Sequence, residues 1–207
     1  MNSFDFASWV PILAIALVII LFVGWGISVY NRLVKSRNAS KEALQGIDVA
    51  LEMRFDQIKA QADAVSGIVK KEVDVILGAT ALRTGRTIEQ LNMQEKTELN
   101  GAMEDAEQQI LAKASAAGPG ALVSREDYPT MRGHDNVEIM QRTINEVEER
   151  LQAARRVYNR AATKYNTSRE TFPAVLIARP LGFSGHELFE LTDRRKETAY
   201  DLKGYLD

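Results

Sequence analysis

The chain has 207 residues, 45% of them hydrophobic, and its 26 basic and 28 acidic residues give a formal net charge of −2. The length fits one domain or one domain with an appendage, and the charge argues against a dedicated nucleic-acid-binding protein, which would show a strong basic bias. The chain has no cysteine, which excludes disulfides, thiolate zinc sites, iron–sulfur clusters and cysteine nucleophiles. Its two histidines, His134 and His186, leave little material for imidazole chemistry. We therefore expect no metal site and no cofactor.

An uncharged stretch occupies residues 7–30, after a short tail at 1–6. Its 24 residues exceed the roughly 20 that cross about 30 Å of hydrocarbon as a helix. Trp9 near one end and Trp25 with Tyr30 near the other suit the aromatic belts of a membrane. A cleaved signal peptide would begin with basic residues and end at a small-residue cleavage site, and this stretch has neither. The pattern predicts a permanent transmembrane helix.

The orientation of this helix is predicted from the basic residues that flank it. None precedes it, and four follow it directly: Arg32, Lys35, Arg37 and Lys41. The positive-inside rule places the side with more lysine and arginine in the cytoplasm, and hence the N-terminus outside. The same basic cluster can also contact anionic headgroups.

Three further helices are predicted, at about 31–78, 87–117 and 136–171. Each carries apolar residues at steps of three and four, and the third repeats every 3.5 residues from Val137 to Tyr165, which is typical of a coiled-coil-like seam. Helices with matching apolar faces pack as bundles. The predicted fold class is all-α: a transmembrane helix, then an elongated antiparallel three-helix bundle over 31–183. The charged tail at 184–207 is expected to be a short amphipathic helix or a loose terminus.

Two stretches of the chain resemble the signatures of the LemA family. The first is YNRLVKSRN at 30–38, followed by an Ile-Asp pair at 47–48; the second runs from 149 to 159 and continues with Tyr165-Asn166, Phe172-Pro173 and Gly182-Phe183. The resemblance implies a single-pass bacterial inner-membrane protein with a helical bundle and no assigned enzymatic activity. The family usually has a proline-containing segment where this chain has DQIKAQA at 56–62, which indicates a straighter first helix.

The second signature places two tyrosine–asparagine pairs on one helical face, since Tyr158-Asn159 and Tyr165-Asn166 lie seven residues apart. One interpretation is a polar stripe that binds a ligand or a partner. The other is a register lock with Asp48, Arg37 or Asn38 of the first helix, and it is favoured because buried polar groups normally find partners in any bundle.

The Phe172-Pro173 pair predicts a corner in which Phe172 anchors on the end of the bundle and the proline ends the helix. Leu176, Ile177, Leu181 and Phe183 would cover that end, or would form a hydrophobic peptide groove if they are left uncovered. Adjacent acidic residues such as Glu148 and Glu149 are interpreted as solvated charge and not as a catalytic pair. The candidate structural or partner-contact residues are Tyr30, Asn31, Arg37, Asn38, Asp48, Tyr158, Asn159, Tyr165, Asn166, Phe172, Pro173 and Phe183.

The leading functional hypothesis is a non-enzymatic scaffold or adaptor, anchored in the membrane, that presents a coiled-coil-like helical surface for protein assembly. Its expected partners are the lipid bilayer, other membrane proteins and further copies of the chain in a homo-oligomer, but not nucleic acid. The alternative hypothesis is a small-ligand sensor or receptor that uses the polar face around Tyr158 and Tyr165.

Overall fold

The computed structural model describes residues 6–65, 67–80, 85–116 and 133–190. Within these residues the regular elements are all helical, which confirms the all-α prediction. They are, in chain order, α1 (Phe6–Val65), α2 (Gly67–Gly78), a 3₁₀ turn (Ile88–Gln90), α3 (Met93–Ala116), α4 (Gly133–Glu170) and α5 (Val175–Ala178). The predicted tails at 1–5 and 191–207 lie outside the described residues.

Helix α1 begins with the apolar stretch and continues beyond it without interruption for 60 residues. Its most apolar 18-residue window has a mean hydropathy of 2.8, and no part of that window is buried by the protein. Pro11 lies near the start of the helix. In the described part of the chain, α1 alone is long and apolar enough to cross a membrane, judged by length and composition.

The start of α3 differs from the sequence-based expectation by six residues, because a separate 3₁₀ turn precedes it. Asn92 caps α3: its Oδ1 accepts from the Glu95 N–H at 2.9 Å, and the Glu95 carboxylate accepts from the Asn92 N–H at 2.8 Å. This reciprocal pair is a capping box, which satisfies two backbone donors at the beginning of a helix. The cap explains why α3 begins at Met93 and not at 87.

The chain divides into two compact units. Unit 1 combines Met1–Glu42 with Arg160–His186, and unit 2 combines Ala43–Asn159 with Glu187–Asp207. One buried apolar cluster of unit 1 consists of Leu33, Tyr165, Ala178 and Phe183, against which Val29, Val34 and Ala174 pack.

The core of unit 2 is built from helix faces with apolar residues three and four apart. On α3 this face is buried along its whole length, from Leu99 through Met103, Ala106 and Ile110 to Ala114. Helix α2 packs against α3, and its buried residues are Val69, Val73 and Leu77. The other buried apolar residues on the helices of this unit are Ile47, Ala50, Leu51, Ile58 and Ala62 of α1, and Met140, Val147, Leu151 and Tyr158 of α4.

Candidate functional site

In unit 1, the pair Tyr165-Asn166 holds the residues that follow Phe183. The buried Tyr165 donates its hydroxyl to the carbonyl of Ser184 at 2.8 Å. The Asn166 side chain binds both backbone groups of His186: Nδ2 donates to the carbonyl at 2.8 Å, and Oδ1 accepts from the N–H at 2.9 Å. A carboxamide can do this because it carries a donor and an acceptor side by side. The Asn166 side chain thereby satisfies both backbone hydrogen-bonding groups of His186, a residue that lies outside any helix.

In unit 2, the pair Tyr158-Asn159 makes the same set of bonds. The Tyr158 hydroxyl donates to the carbonyl of Glu187 at 2.5 Å. Asn159 donates from Nδ2 to the Phe189 carbonyl at 3.0 Å and accepts from the Phe189 N–H at 2.9 Å. The Phe189 side chain is fully buried. We call residues 184–189 the bound segment.

These contacts differ from the partners that the sequence suggested for the two pairs. The register-lock interpretation expected side chains of the first helix, whereas the four side chains bind backbone groups of the bound segment. The bound segment also differs from both expectations for the tail: up to residue 190 it is non-helical, yet it is held by hydrogen bonds. Backbone groups occur at every residue, so the sequence carries no mark that singles out residues 184–189 as the partner.

Burial raises the pKa of both tyrosine hydroxyls further above the physiological range. It raises the pKa of Tyr158 to about 12, with the nearby carboxylates of Glu187 and Asp48 acting in the same direction. Burial also raises the pKa of Tyr165, although Arg169 and Arg37 oppose the shift. Each hydroxyl is therefore a permanent hydrogen-bond donor to a backbone carbonyl across the physiological pH range.

His186 belongs to the bound segment and is also attached to unit 1 through its ring. Its Nδ1 lies 2.8 Å from the hydroxyl of the buried Ser40, and its ring centroid lies 4.6 Å from that of Tyr165. Burial lowers the pKa of His186 below its ordinary value, and the positive charges of Lys41 and Arg37 lower it further. The imidazole is therefore neutral at neutral pH.

Phe183, which belongs to the second motif, is contacted by residues of the first motif. The ring of Tyr30 contacts it edge-on, with centroids 5.8 Å apart, and the guanidinium carbon of Arg37 lies 5.2 Å from the centre of its ring. Leu33 shares its core cluster, and Arg169 donates to its carbonyl at 3.3 Å. Gly182, just before it, has a φ of +71°, a conformation that side-chain-bearing residues rarely adopt. The turn at Gly182 thus directs Phe183 into the core of unit 1.

The other predicted contact residues at the corner and on α1 differ in their exposure. Phe172 does not anchor the end of a bundle, because 75% of its surface is exposed. Leu176 and Leu181 are exposed as well, and the small Ala178 is buried in their place. Pro173 is partly buried, while Asn31 and Asn38 are exposed.

Asp48 lies in unit 2, where its carboxylate pairs with the ammonium of Lys96, and both side chains are buried. Burial raises the pKa of Asp48, against the opposing effect of the Lys96 bond. Lys96 was not among the sequence candidates. It lies three residues before Leu99, on the face of α3 that carries the buried apolar residues. A lysine at this position of the apolar face is the feature of the sequence from which its burial could have been predicted.

A second buried ionic group, which sequence reasoning missed, centres on Arg54. Its guanidinium binds both carboxylate oxygens of Glu107, at 3.0 and 2.7 Å, and the Asn100 amide oxygen at 2.7 Å. It also pairs with Glu148 at 3.0 Å. The Glu148 side chain is 37% exposed, so it keeps contact with solvent as predicted, but the sequence did not predict its pairing with Arg54. Arg54 joins α1 to α3 and α4, and burial raises the pKa of Glu107 although Arg54 opposes the shift.

The described residues contain no group of three or more histidine, aspartate or glutamate side chains that could hold a metal ion. The chemistry that the described contacts support is hydrogen bonding to main chain and burial of ion pairs. Both fix how helices and segments pack.

One of three comparisons with known proteins found a match. The family model described as the LemA family matches residues 43–201, which is more than half of the chain. The first motif, at 30–38, lies before the matched residues, whereas both tyrosine–asparagine pairs lie within them. Searches of curated proteins and of solved structures each found no match. The match over 43–201 agrees with the resemblance drawn from the motifs, and the chain belongs to the LemA family.

Proposed function

We propose that this protein is a non-enzymatic scaffold or adaptor, held in the bacterial inner membrane by the first part of α1. The observation that carries the proposal is the exposed apolar window of α1, which the protein leaves unburied although its mean hydropathy is 2.8. Exposed apolar surface of that extent is stable in lipid and not in water. The same helix continues to Leu33, the buried residue through which α1 enters the core of unit 1.

The scaffold part of the proposal is supported by apolar side chains that the helices of unit 2 leave exposed. Val157 of α4 is 60% exposed and Val75 of α2 is 73% exposed, and Val49 and Met53 of α1 are exposed as well. Single exposed apolar residues are normal on any protein surface. Val49 and Met53 lie four residues apart on one helix, which is the spacing of neighbouring contacts in helix–helix packing. These positions are where we expect other membrane proteins, or further copies of the chain, to pack.

The alternative function, a ligand sensor that uses the Tyr158 and Tyr165 face, receives less support. The hydroxyls and amides that a ligand would bind already have partners in the bound segment. A ligand would have to displace that segment and replace its hydrogen bonds, because a buried polar group without a partner costs about 1–3 kcal/mol.

The membrane anchor and its orientation can be tested by measuring which side of the membrane each part of the chain is exposed to. The chain has no cysteine, so single cysteines can be placed at Ser3 and at the exposed Gln141 of α4. A membrane-impermeant maleimide is expected to label Ser3→Cys in cells with a permeabilised outer membrane, and Gln141→Cys only after the inner membrane is opened. The reverse pattern contradicts the orientation, and recovery of the protein outside the membrane fraction contradicts the anchor.

Site-specific crosslinking tests the scaffold. A photoreactive amino acid at Val157 is expected to form discrete protein adducts in intact membranes, and the same probe at the exposed Glu149 of the same helix is the control. Adducts that contain only this chain indicate a homo-oligomer. Equal, non-specific labelling from both positions contradicts the scaffold proposal.

A further inference from the structure

The corner between α4 and the bound segment, at 171–182, exposes large apolar side chains that make no packing contribution to the core of unit 1. Three such side chains lie within ten residues: Phe172, Leu176 and Leu181 are 75%, 64% and 56% exposed. The opposite side of the same corner is packed, since Ala178 is fully buried and Ala174 is partly buried against the core of unit 1. The corner therefore buries Ala178 and leaves three of its large apolar side chains exposed.

The packed side of the corner fixes its position along α1. Ala174, Ala178 and Phe183 belong to the cluster that includes Val29 and Leu33, and Tyr30 contacts the ring of Phe183. The uncharged stretch of α1 ends at Tyr30. At a rise of about 1.5 Å per residue, Leu33 lies about 5 Å beyond that end, which is within the polar layer, roughly 5–8 Å deep, on each side of the hydrocarbon. The corner is thus packed at the level where α1 leaves the hydrocarbon.

The charge of the corner suits a lipid surface. From 171 to 183 the chain carries one charged residue, Arg179, and no acidic residue. Arg179 is exposed beside the apolar face, and Arg32 and Lys35 are exposed on α1 near the cluster. A long basic side chain can rest its methylene groups on apolar surface and reach a phosphate with its charge. Apolar residues flanked by basic ones are typical of segments that lie in the membrane interface.

We propose that Phe172, Leu176 and Leu181 insert into the headgroup–acyl boundary of the bilayer that α1 spans, as a second membrane contact beside the transmembrane helix. This inference rests on the membrane anchor of the proposed function. The bilayer is the occupant because it is always present at the level to which Val29 and Leu33 hold the corner, and because the basic residues complement anionic headgroups. The contact also fixes the depth at which unit 1 meets the membrane.

The test measures depth with a fluorescent probe on single cysteines of the full chain. Leu176→Cys carries the nitrobenzoxadiazole label, in vesicles of phosphatidylcholine and phosphatidylglycerol at 3:1 that contain nitroxide-labelled lipids. Val157→Cys is the matched control, because it is an equally exposed aliphatic residue of unit 2. Leu13→Cys reports on the transmembrane helix itself.

We expect a nitroxide near the headgroup to quench the label at position 176 at least threefold more strongly than the label at 157, independently of the protein-to-lipid ratio. Equal quenching at 176 and 157, with deep quenching at 13, overturns the interfacial contact and leaves the anchor intact. Blue-shifted but unquenched emission at 176 also overturns it, since a second copy or another protein would then cover the face. Absence of deep quenching at position 13 overturns the anchor and this inference together.

Discussion

Replacing Asn166 by alanine should release one end of the bound segment without unfolding the helices. The alanine variant removes the donor to the His186 carbonyl and the acceptor from the His186 N–H, which are bonds of 2.8 and 2.9 Å. A hydrogen bond of this kind contributes about 0.5–1.5 kcal/mol net, so the two together contribute about 1–3 kcal/mol to closing the segment. Because a factor of ten corresponds to about 1.4 kcal/mol, the population of open segment should rise about 5- to 150-fold.

Hydrogen exchange detects the release, because the His186 amide is protected through its bond to Asn166 and exchanges once that bond is lost. In the full chain in detergent micelles, the His186 amide should exchange about 5- to 150-fold faster in Asn166→Ala than in wild type. Asn166→Asp keeps an acceptor for the His186 N–H and loses the donor to its carbonyl, so its effect should be intermediate. Asn145→Ala, at an exposed asparagine of the same helix, is the control.

An Asn166→Ala variant whose His186 amide exchanges within twofold of wild type would refute the reasoning. It would mean that the ring contacts of His186 with Ser40 and Tyr165 are enough to hold the segment. Uniformly faster exchange along α4 would also refute it, because the effect would then be global destabilisation and not local release.

Three further predictions concern the two cores and the histidine. Arg54→Met should destabilise unit 2 by about 3–5 kcal/mol, because Glu107 is left buried without its partner. The double variant Arg54→Met with Glu107→Leu should regain most of that loss. Urea denaturation followed by circular dichroism at 222 nm measures both, and a double variant no more stable than the single one would contradict the prediction. Phe183→Ala should lower the free energy of unfolding in detergent by about 3–5 kcal/mol. Phe172→Ala, at an exposed ring, should change it by less than about 0.5 kcal/mol. Equal losses in the two variants would show that Phe183 is not the anchor. The pKa of His186 is lowered in the folded protein, so the neutral ring contributes to stability above the ordinary histidine pKa of 6.5, and this contribution is lost as the pH falls through the pKa of the folded state. The thermal midpoint of the wild type should therefore fall more steeply below pH 6.5 than that of His186→Gln. Parallel slopes for the two proteins would contradict this prediction.

Helical periodicity predicted much of the architecture, because one buried face repeats every 3.6 residues and apolar residues mark it. In the helix predicted at 87–117, the apolar residues at steps of three and four are all buried: Leu99, Met103, Ala106, Ile110 and Ala114. The same criterion missed Arg54 and Lys96, which occupy buried positions on these faces. A charged residue on an apolar face indicates a buried ion pair, but the 28 acidic residues of the chain leave its partner undetermined without the packing of the helices.

The two tyrosine–asparagine pairs illustrate a different limit. Their seven-residue spacing was enough to place them on one face of α4, and their polarity was enough to require partners. The partners are main-chain groups, which every residue supplies, so neither composition nor periodicity could have identified Ser184, His186 or Phe189. The exposed ring of Phe172 shows the same limit at the corner: a hydrophobic residue before a proline was interpreted as an anchor, whereas the turn at Gly182 assigns that role to Phe183.

The two stretches that resemble the family signatures are far apart in sequence but meet in unit 1. Tyr30, Leu33 and Arg37 of the first stretch contact or pack with Phe183 of the second. Tyr165, which shares that cluster, also binds the residue directly after Phe183. The residues that carry the resemblance therefore build one packed joint, immediately beyond the uncharged part of α1. A joint in this position holds Ser184 and the packed side of the corner against the part of α1 that follows the uncharged stretch.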